Sequence, residues 1–243
     1  MTLRLKTLPY SRHVDQSAFR PFTGRAVLAG LAAVKAVMLW PLKLAWAWQK
    51  SGQVIADDIA NMLRAKPGCT VAEIGAGNGA MAIRIAKKIG PAGHVYATEI
   101  DSARLERIRK RARKAGLNNV TAVAATPTDS GLPGGCCDAA YMIGAYHHFT
   151  DAAAADRSIF QALTPGARLL INDFPPTIWL ALFKIKGIPA NRGGHGVADD
   201  IVSNEMSAAG FRRVTELRPW HPGFLIRDNY CLVFSKPDDG APL

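Results

Sequence analysis

From residue 69 onward the chain alternates between two hydrophobic rhythms. The run 69-CTVAEI-74 is a short apolar stretch of strand length, whereas 79-GAMAIRIAKKIG-90 repeats its apolar positions at the spacing of one helix face. Continuing in this way, the pattern predicts strands at 69–74, 94–99, 119–124, 138–143, 167–172, 211–217 and 229–235. Helices are predicted at 79–89, 102–115, 151–163 and 197–209. One more helix precedes them: in 53-QVIADDIANML-63, Ile55, Ile59, Met62 and Leu63 fall on one face, and Lys66-Pro67-Gly68 ends it. Strand–helix alternation implies a mainly parallel sheet with helices on both faces. The last two strands have no helix between them, which predicts a closing antiparallel hairpin. The fold class is therefore α/β, with seven strands.

Residues 1–50 follow neither rhythm. The apolar run 26-AVLAGLAAVKAVMLWPLKLAWAW-48 is long enough to span a bilayer, for which roughly 20 residues suffice. It is interrupted by Lys35, Pro41 and Lys43, and each charge costs about 3 kcal/mol at mid-bilayer. On a helical projection Arg25, Lys35, Lys43 and Lys50 share an arc of about 80°, and Trp40, Trp46 and Trp48 suit a headgroup boundary. Three readings stay open: an interfacial anchor, a helical cap on the following domain, and a signal or spanning segment. The composition shift near Lys50-Ser51-Gly52 divides the chain into a basic and apolar helical extension at 1–50 and a regular domain at 51–243.

Charge sharpens this picture. The formal net charge is +11, and residues 1–50 hold eight Lys or Arg against Asp15 alone. A second block, 104-RLERIRKRARK-114, holds seven more against Glu106. Such blocks suit an anionic membrane surface, here over residues 20–50, or else a solvated helix face. Nucleic acid is disfavoured as a partner, because no interleaved aromatic and basic platform accompanies the charge. The four cysteines form no CxxC pair, so neither a zinc cluster nor a disulfide framework is indicated, no metal is expected, and reduced thiols facing the cytosol are the default.

The stretch 71-VAEIGAGNGAMAIRIAKKIG-90 carries the first chemical signal. Glycines between a strand and a helix allow a tight turn and let a ligand approach the main chain and the positive helix start. Glu73 ends the strand, where it can meet a cationic amino group. Glu99 ends the next strand, where a carboxylate can accept ribose hydroxyls. Gly75, Gly77 and Ala80 also satisfy the dinucleotide pattern G-x-G-x-x-G/A, which keeps an NAD(P)-dependent oxidoreductase open as an alternative. An acid directly before the glycines instead favours a cofactor with an amino group and no pyrophosphate.

Several motifs in register then resemble those of class I S-adenosylmethionine-dependent methyltransferases. They are 71-VAEIGAGNG-79, 95-VYATEID-101, 132-LPGGCCDAAYMIGAYHHF-149 and 163-LTPGARLLINDF-174. The tail, 205-EMSAAGFRRV-214 with 229-NYCLVF-234, is similar to the end of small bacterial members bearing a Tyr-His-His-Phe motif. The resemblance covers about residues 52–236 and implies a Rossmann-like methyltransferase sheet, S-adenosylmethionine as cofactor and S-adenosylhomocysteine as product. It implies that Glu73, Gly75, Ala76, Gly77 and Gly79 cradle the methionine part. It further implies that Glu99 binds the ribose, Ile100 packs on the adenine, and Gly144 and Ala145 line the sulfonium side. Many relatives place an acid after the third strand. Here 124-AATPTDSGLP-133 offers Thr126, Asp129 or a main-chain contact instead.

Methyl transfer needs alignment, exclusion of water and, for a protonated acceptor, a base. His147 and His148 follow the fourth strand and His195 lies in 192-RGGHG-196; these three are the catalytic candidates, with Tyr146 and Asp173 behind them. A histidine suits the role because its proton leaves near neutral pH. The segment 177-TIWLALFKIKGIP-189, apolar and then basic, points with residues 26–48 to an apolar, lipid-like or amphiphilic small-molecule acceptor met at the cytoplasmic face of a membrane. A soluble acceptor under a hydrophobic lid and an RNA methyltransferase are the alternatives.

Overall fold

The computed structural model describes residues 51–176, 195–222 and 228–238. The apolar run at 26–48, the segment 177–189 and the glycines just before His195 lie outside the described residues. Within them the order is α1 (51–63), β1 (Thr70–Ile74), α2 (Ala80–Ile89), β2 (His94–Glu99) and α3 (Ser102–Lys114). These are followed by β3 (Val120–Ala124), β4 (Cys137–Ile143), α4 (Ala152–Ala162), β5 (Leu163–Asp173), α5 (Asp199–Ala208), β6 (Arg212–Leu217) and β7 (Tyr230–Ser235). A short 3-10 turn at Tyr146–His148 follows β4. All seven expected strands are present, and their ends differ from expectation by at most one residue except at β5. That strand begins at Leu163, directly after α4, where Cys137 pairs with Leu163 ahead of a register shift.

The seven strands form one sheet in the order β3-β2-β1-β4-β5-β7-β6. β1 to β5 are parallel to their neighbours, whereas β7 runs antiparallel to both β5 and β6, which makes the expected closing hairpin. The strand order reverses between β1 and β4. A crevice opens at such a reversal beyond the carboxyl ends of the strands, because the two crossovers leave in opposite directions.

Strand periodicity sorts the core into two layers. Val71, Leu170 and Val233 face one side and pack with Ile59 and Leu63 of α1, Ile85 and Ile89 of α2, and Ile108 of α3. Ala72, Leu169, Ile171 and Leu232 face the other side with Ile159 of α4 and Val202 and Met206 of α5. Helix ends are fixed locally. Asp101 caps α3 by accepting from the N–H groups of Ala103 (2.7 Å) and Arg104 (3.1 Å). The Asn119 amide donates to the Ala86 and Gly90 carbonyls at the end of α2. All four cysteines are free thiols. Among the described residues, no helix is long and apolar enough to cross a membrane.

Gly79 starts α2 with φ +73, and a Cβ there would stand 2.9 Å from the Ile108 Cγ1. Gly79→Ala therefore loses about 1–3 kcal/mol, read as a melting temperature several degrees lower. Ile108→Ala costs about 2–5 kcal/mol by itself. In that background the Gly79→Ala penalty shrinks, because only the backbone strain remains. Equal penalties in both backgrounds would refute the contact.

Candidate active site

The loop between β1 and α2 takes its shape from three left-handed glycines: Gly75 at φ +70, Gly77 at φ +56 and Gly79 at φ +73. Their neighbours differ. A Cβ on Gly75 would meet the Ala145 Cβ at 2.8 Å, so the loops after β1 and β4 lie against each other. Gly77 and Gly144 (φ +59) have open space where a Cβ would stand. They leave main chain bare at the crevice.

Two carboxylates frame this loop. Glu99, 4% exposed at the end of β2, accepts the Gly77 N–H at 2.8 Å through Oε2 and the N–H groups of Ile100 and Asp101 through Oε1. A carboxylate offers about four acceptor positions, so one remains for a ligand hydroxyl. Arg104 approaches the same oxygen at 3.8 Å. The next residue, Ile100, is 62% exposed, an apolar surface beside that carboxylate. Thr126 lies on the exposed turn after β3, its N–H donating to the Asp129 carbonyl, while the adjoining Ala125 N–H donates to the Glu99 carbonyl. Asp129 itself is turned toward Ser158 and the Gly131 N–H.

Glu73, at the end of β1, is 5% exposed, and its Oε2 has no hydrogen-bond partner. Burial pushes its carboxyl up to about 8, and the charge of Glu99 adds to the shift. The Tyr141 hydroxyl and the Ala82 N–H oppose it. Tyr141 lies against this carboxyl without an aligned hydrogen bond, and its own hydroxyl is also unpartnered. Near neutral pH the carboxyl is thus held protonated for want of a cation, and a cationic group placed there would reverse the shift.

The three candidate histidines, the adjacent His147 and His148 and the distant His195, meet beyond β4 and β5. The ring of His147 lies 4.1 Å from His148 and 5.0 Å from His195, centroid to centroid, and 5.0 Å from Phe174. His147 is buried, with Nδ1 2.8 Å from the Asp173 Oδ1 and 3.1 Å from Oδ2. Asp173 also accepts the backbone N–H of His147 (3.1 Å) and that of Phe174 (2.9 Å). His148 is open to solvent on one side. Burial, reinforced by His147, holds the rings of both His148 and His195 below the usual histidine range. His195 reaches the cluster because Val197 N–H donates to the Phe174 carbonyl and Gly196, at φ +105, leaves no room for a side chain against that same carbonyl. Among the described residues, no group of three or more His, Cys, Asp or Glu side chains is arranged to hold a metal ion.

Tyr146 points elsewhere. It is fully buried, and its hydroxyl reaches Asp156 on α4 and Glu205 on α5 at 2.8 Å each, which moors the histidine turn to those helices. Phe174 carries no signal of its own in the sequence, and Asp173 stands there behind the histidines. Only the pairing of β4 with β5, which sets Ile143 beside Asn172, reveals that Asp173 stands next to the turn after β4.

Comparison with known proteins follows the same lines. Residues 71–166 match the family model described as a methyltransferase domain. This span runs from β1 into β5 and carries both carboxylates, the glycine loop and the His147–His148 turn. The family match, the curated relatives and the solved structures together support a class I S-adenosylmethionine-dependent methyltransferase. Over 122 residues it is 30% identical to the ubiquinone/menaquinone biosynthesis C-methyltransferase UbiE of Vibrio vulnificus, a match covering 50% of this chain and 47% of that one. The chain thus spans about half the length of the curated relatives it matches. Among solved structures, a SAM-dependent methyltransferase from Aquifex aeolicus superposes with a TM-score of 0.62 at 19% identity, covering 74% of this chain and 89% of that one. Geranyl diphosphate C-methyltransferase from Streptomyces coelicolor gives 0.62 at 13% identity, covering 75% and 78%. At those identities the likeness concerns the fold.

The Glu73 shift makes a sign-specific prediction. Its folded pKa, about 8, lies above the ordinary 4.5, so the folded state holds the proton more tightly and the protein loses stability as pH rises from 4.5 toward 8. Glu73→Gln removes this loss. Without added ligand, the variant's melting temperature gains on the wild type between pH 5 and pH 8 and the difference then levels off. A difference independent of pH would contradict the buried, proton-holding carboxyl.

Proposed function

We propose that this chain transfers the methyl group of S-adenosylmethionine to an apolar or amphiphilic small-molecule acceptor. The observation that carries this reading is the crevice at the strand-order reversal, where bare glycine main chain is framed by Glu73 and Glu99. The donor's ammonium matches the unpartnered Glu73 carboxyl. Its ribose matches the free acceptor position on Glu99, its adenine lies along exposed Ile100 toward Thr126, and its sulfonium lies near Gly144 and Ala145. Gly75, Ala76 and Gly79 shape the loop under the methionine part. A dinucleotide fits less well, because its pyrophosphate would bring anions to a loop whose own buried group awaits a cation.

When bound, the donor supplies an activated methyl group on sulfur. The chain's residues hold it and align the acceptor. The acceptor class draws support from the quinone-biosynthesis name of the curated relatives and the geranyl diphosphate of one structural neighbour. The apolar, cation-edged runs at 26–48 and 177–189 support a meeting at the cytoplasmic face of a membrane. In this reading residues 51–243 are the catalytic domain and 1–50 the membrane-directed extension.

Calorimetry with S-adenosylhomocysteine is the direct test. Binding is expected for the homocysteine nucleoside and absent for NAD, with proton release at pH 7 as Glu73 ionises. Glu99→Ala weakens it about tenfold to a hundredfold, the worth of a hydrogen bond to a charged group. Preference for NAD, or an unchanged affinity in Glu99→Ala, would defeat the reading. For the membrane, the full chain is expected to co-sediment with anionic vesicles, and a chain beginning at Ser51 to remain in the supernatant. Salt-sensitive RNA binding that survives loss of residues 1–50 would favour the RNA alternative instead.

A further inference from the structure

Cationic side chains gather at the end of the sheet away from the crevice, and strand register places them there. Val71 pairs with Ala139, Ala139 with Arg168, Arg168 with Ser235, and Ser235 with Arg212. One row of side chains therefore crosses β1, β4, β5, β7 and β6 on a single face. Val71 and Ala139 lie in the apolar layer that packs with α1, α2 and α3. Past them the row turns polar, a serine with an arginine on each side. Neighbouring strands lie about 4.8 Å apart, so the two arginines stand about 10 Å apart across the serine. Arg168 is about 17 Å along β5 from Asp173, which separates this row from the histidine turn.

Two more cations join the row around a cleft of about 270 Å³: Arg64, just past α1, and Lys236, just past β7. Among the described residues, Asp238 is the one acid lining it, and that side chain is exposed. Neutral groups fix the cations without cancelling their charge. Arg168 donates to the Met62 carbonyl at the end of α1 (2.8 Å), and Lys236 donates to the carbonyls of Phe160 (2.9 Å) and Leu163 (2.7 Å). Among the described residues, neither Arg64 nor Arg168 forms an ion pair. Burial, and after it the charge of Arg64, pulls the Arg168 guanidinium below its usual range. Arg64 itself adopts φ +57, a left-handed conformation uncommon for residues other than glycine. Like charges brought together in this way repel, and a bound anion relieves them.

We propose that this cleft is a binding site for a phosphate-type oxyanion, held by the guanidinium groups of Arg64 and Arg168 and by the Ser235 hydroxyl. The planar fork of a guanidinium offers two parallel N–H donors, which match two oxygens of one phosphate. The serine hydroxyl adds a donor for a further oxygen. A carboxylate has two oxygens and a single charge, so it leaves part of this set unmet. A phosphate group carries nearly two charges at neutral pH and three strong acceptor oxygens. Soluble phosphate esters and the head group of an anionic phospholipid share this chemistry. The site lies apart from the donor crevice, needs neither donor nor acceptor to fill, and does not rest on the methyl-transfer reading.

The test is calorimetric titration of the full chain with inorganic pyrophosphate at about 0.15 M ionic strength, where exposed charges are screened. One ion is expected per chain, with a dissociation constant of about 1 mM or tighter. Arg64→Gln weakens binding by about tenfold or more, and Ser235→Ala weakens it as well. Asp238→Asn strengthens it by about twofold to fivefold. Arg168→Gln also loosens the end of α1, so the Arg64 and Ser235 variants carry the comparison. Arg109→Gln, which removes a charge from α3, leaves the affinity unchanged. Glycerol 3-phosphate and phosphatidylcholine vesicles bearing phosphatidate then separate the two sources. Displacement of pyrophosphate by glycerol 3-phosphate, with vesicle retention the same in Arg64→Gln as in the wild type, supports the site and assigns it to soluble esters. Vesicle retention that falls in Arg64→Gln supports the site and assigns it to a lipid head group. No saturable binding of pyrophosphate, an equal weakening by Arg109→Gln, or an affinity indifferent to both Arg64→Gln and Ser235→Ala overturns the proposal.

Discussion

The hydrogen bond from the Gly77 N–H to the Glu99 carboxylate ties the glycine loop to the neighbouring strand, and the crevice depends on it. Left-handed glycines are permissive, so a loop built of them has many shapes to lose on ordering. The carboxylate at the end of β2 selects one of them. The Ala76 N–H, donating to the Thr98 carbonyl at 2.8 Å, extends the same seam. The two strand tips thereby fix how far the bare main chain of Gly77 stands from the acid beside it.

Around that seam the crevice is divided by charge. On the β1 side a buried carboxyl stays protonated until a cation arrives. On the β4 side an imidazole faces an occupied carboxylate, while its two histidine neighbours are held toward their neutral forms. The halves differ in chemical character: one buries a carboxyl that awaits positive charge, and the other gathers three imidazoles beside a carboxylate. A sheet whose crossovers diverge between β1 and β4 brings these halves together.

The fold was legible in the sequence because its signals are local. Runs such as 69–74 and 94–99 have strand length, helices carry their apolar residues on one face, and the glycine loop lies where a strand gives way to a helix. The beginning of β5 was not legible, since Thr164-Pro165-Gly166 reads as a turn and becomes strand only through pairing with β4 and β7. The glycine loop and the carboxylates at the tips of β1 and β2 could be read for the same local reason. The histidine side could be read only in part. His147, His148 and His195 stood out as residue types, but their convergence, and the roles of Asp173 and Phe174, depend on register between strands far apart in sequence. The occupancy of Glu99 by the loop's own N–H groups was equally hidden, because backbone donors leave no trace in composition.

The mooring of Tyr146 to Asp156 and Glu205 gives the histidine turn a second master. The two anchoring acids sit on α4 and α5, and the Tyr146 phenol links them to the histidine turn. Sequence drift on those outer helices can therefore tilt the imidazole by fractions of an ångström while every residue lining the crevice stays the same. Relatives sharing an identical set of pocket residues would then differ in turnover for reasons written outside the pocket.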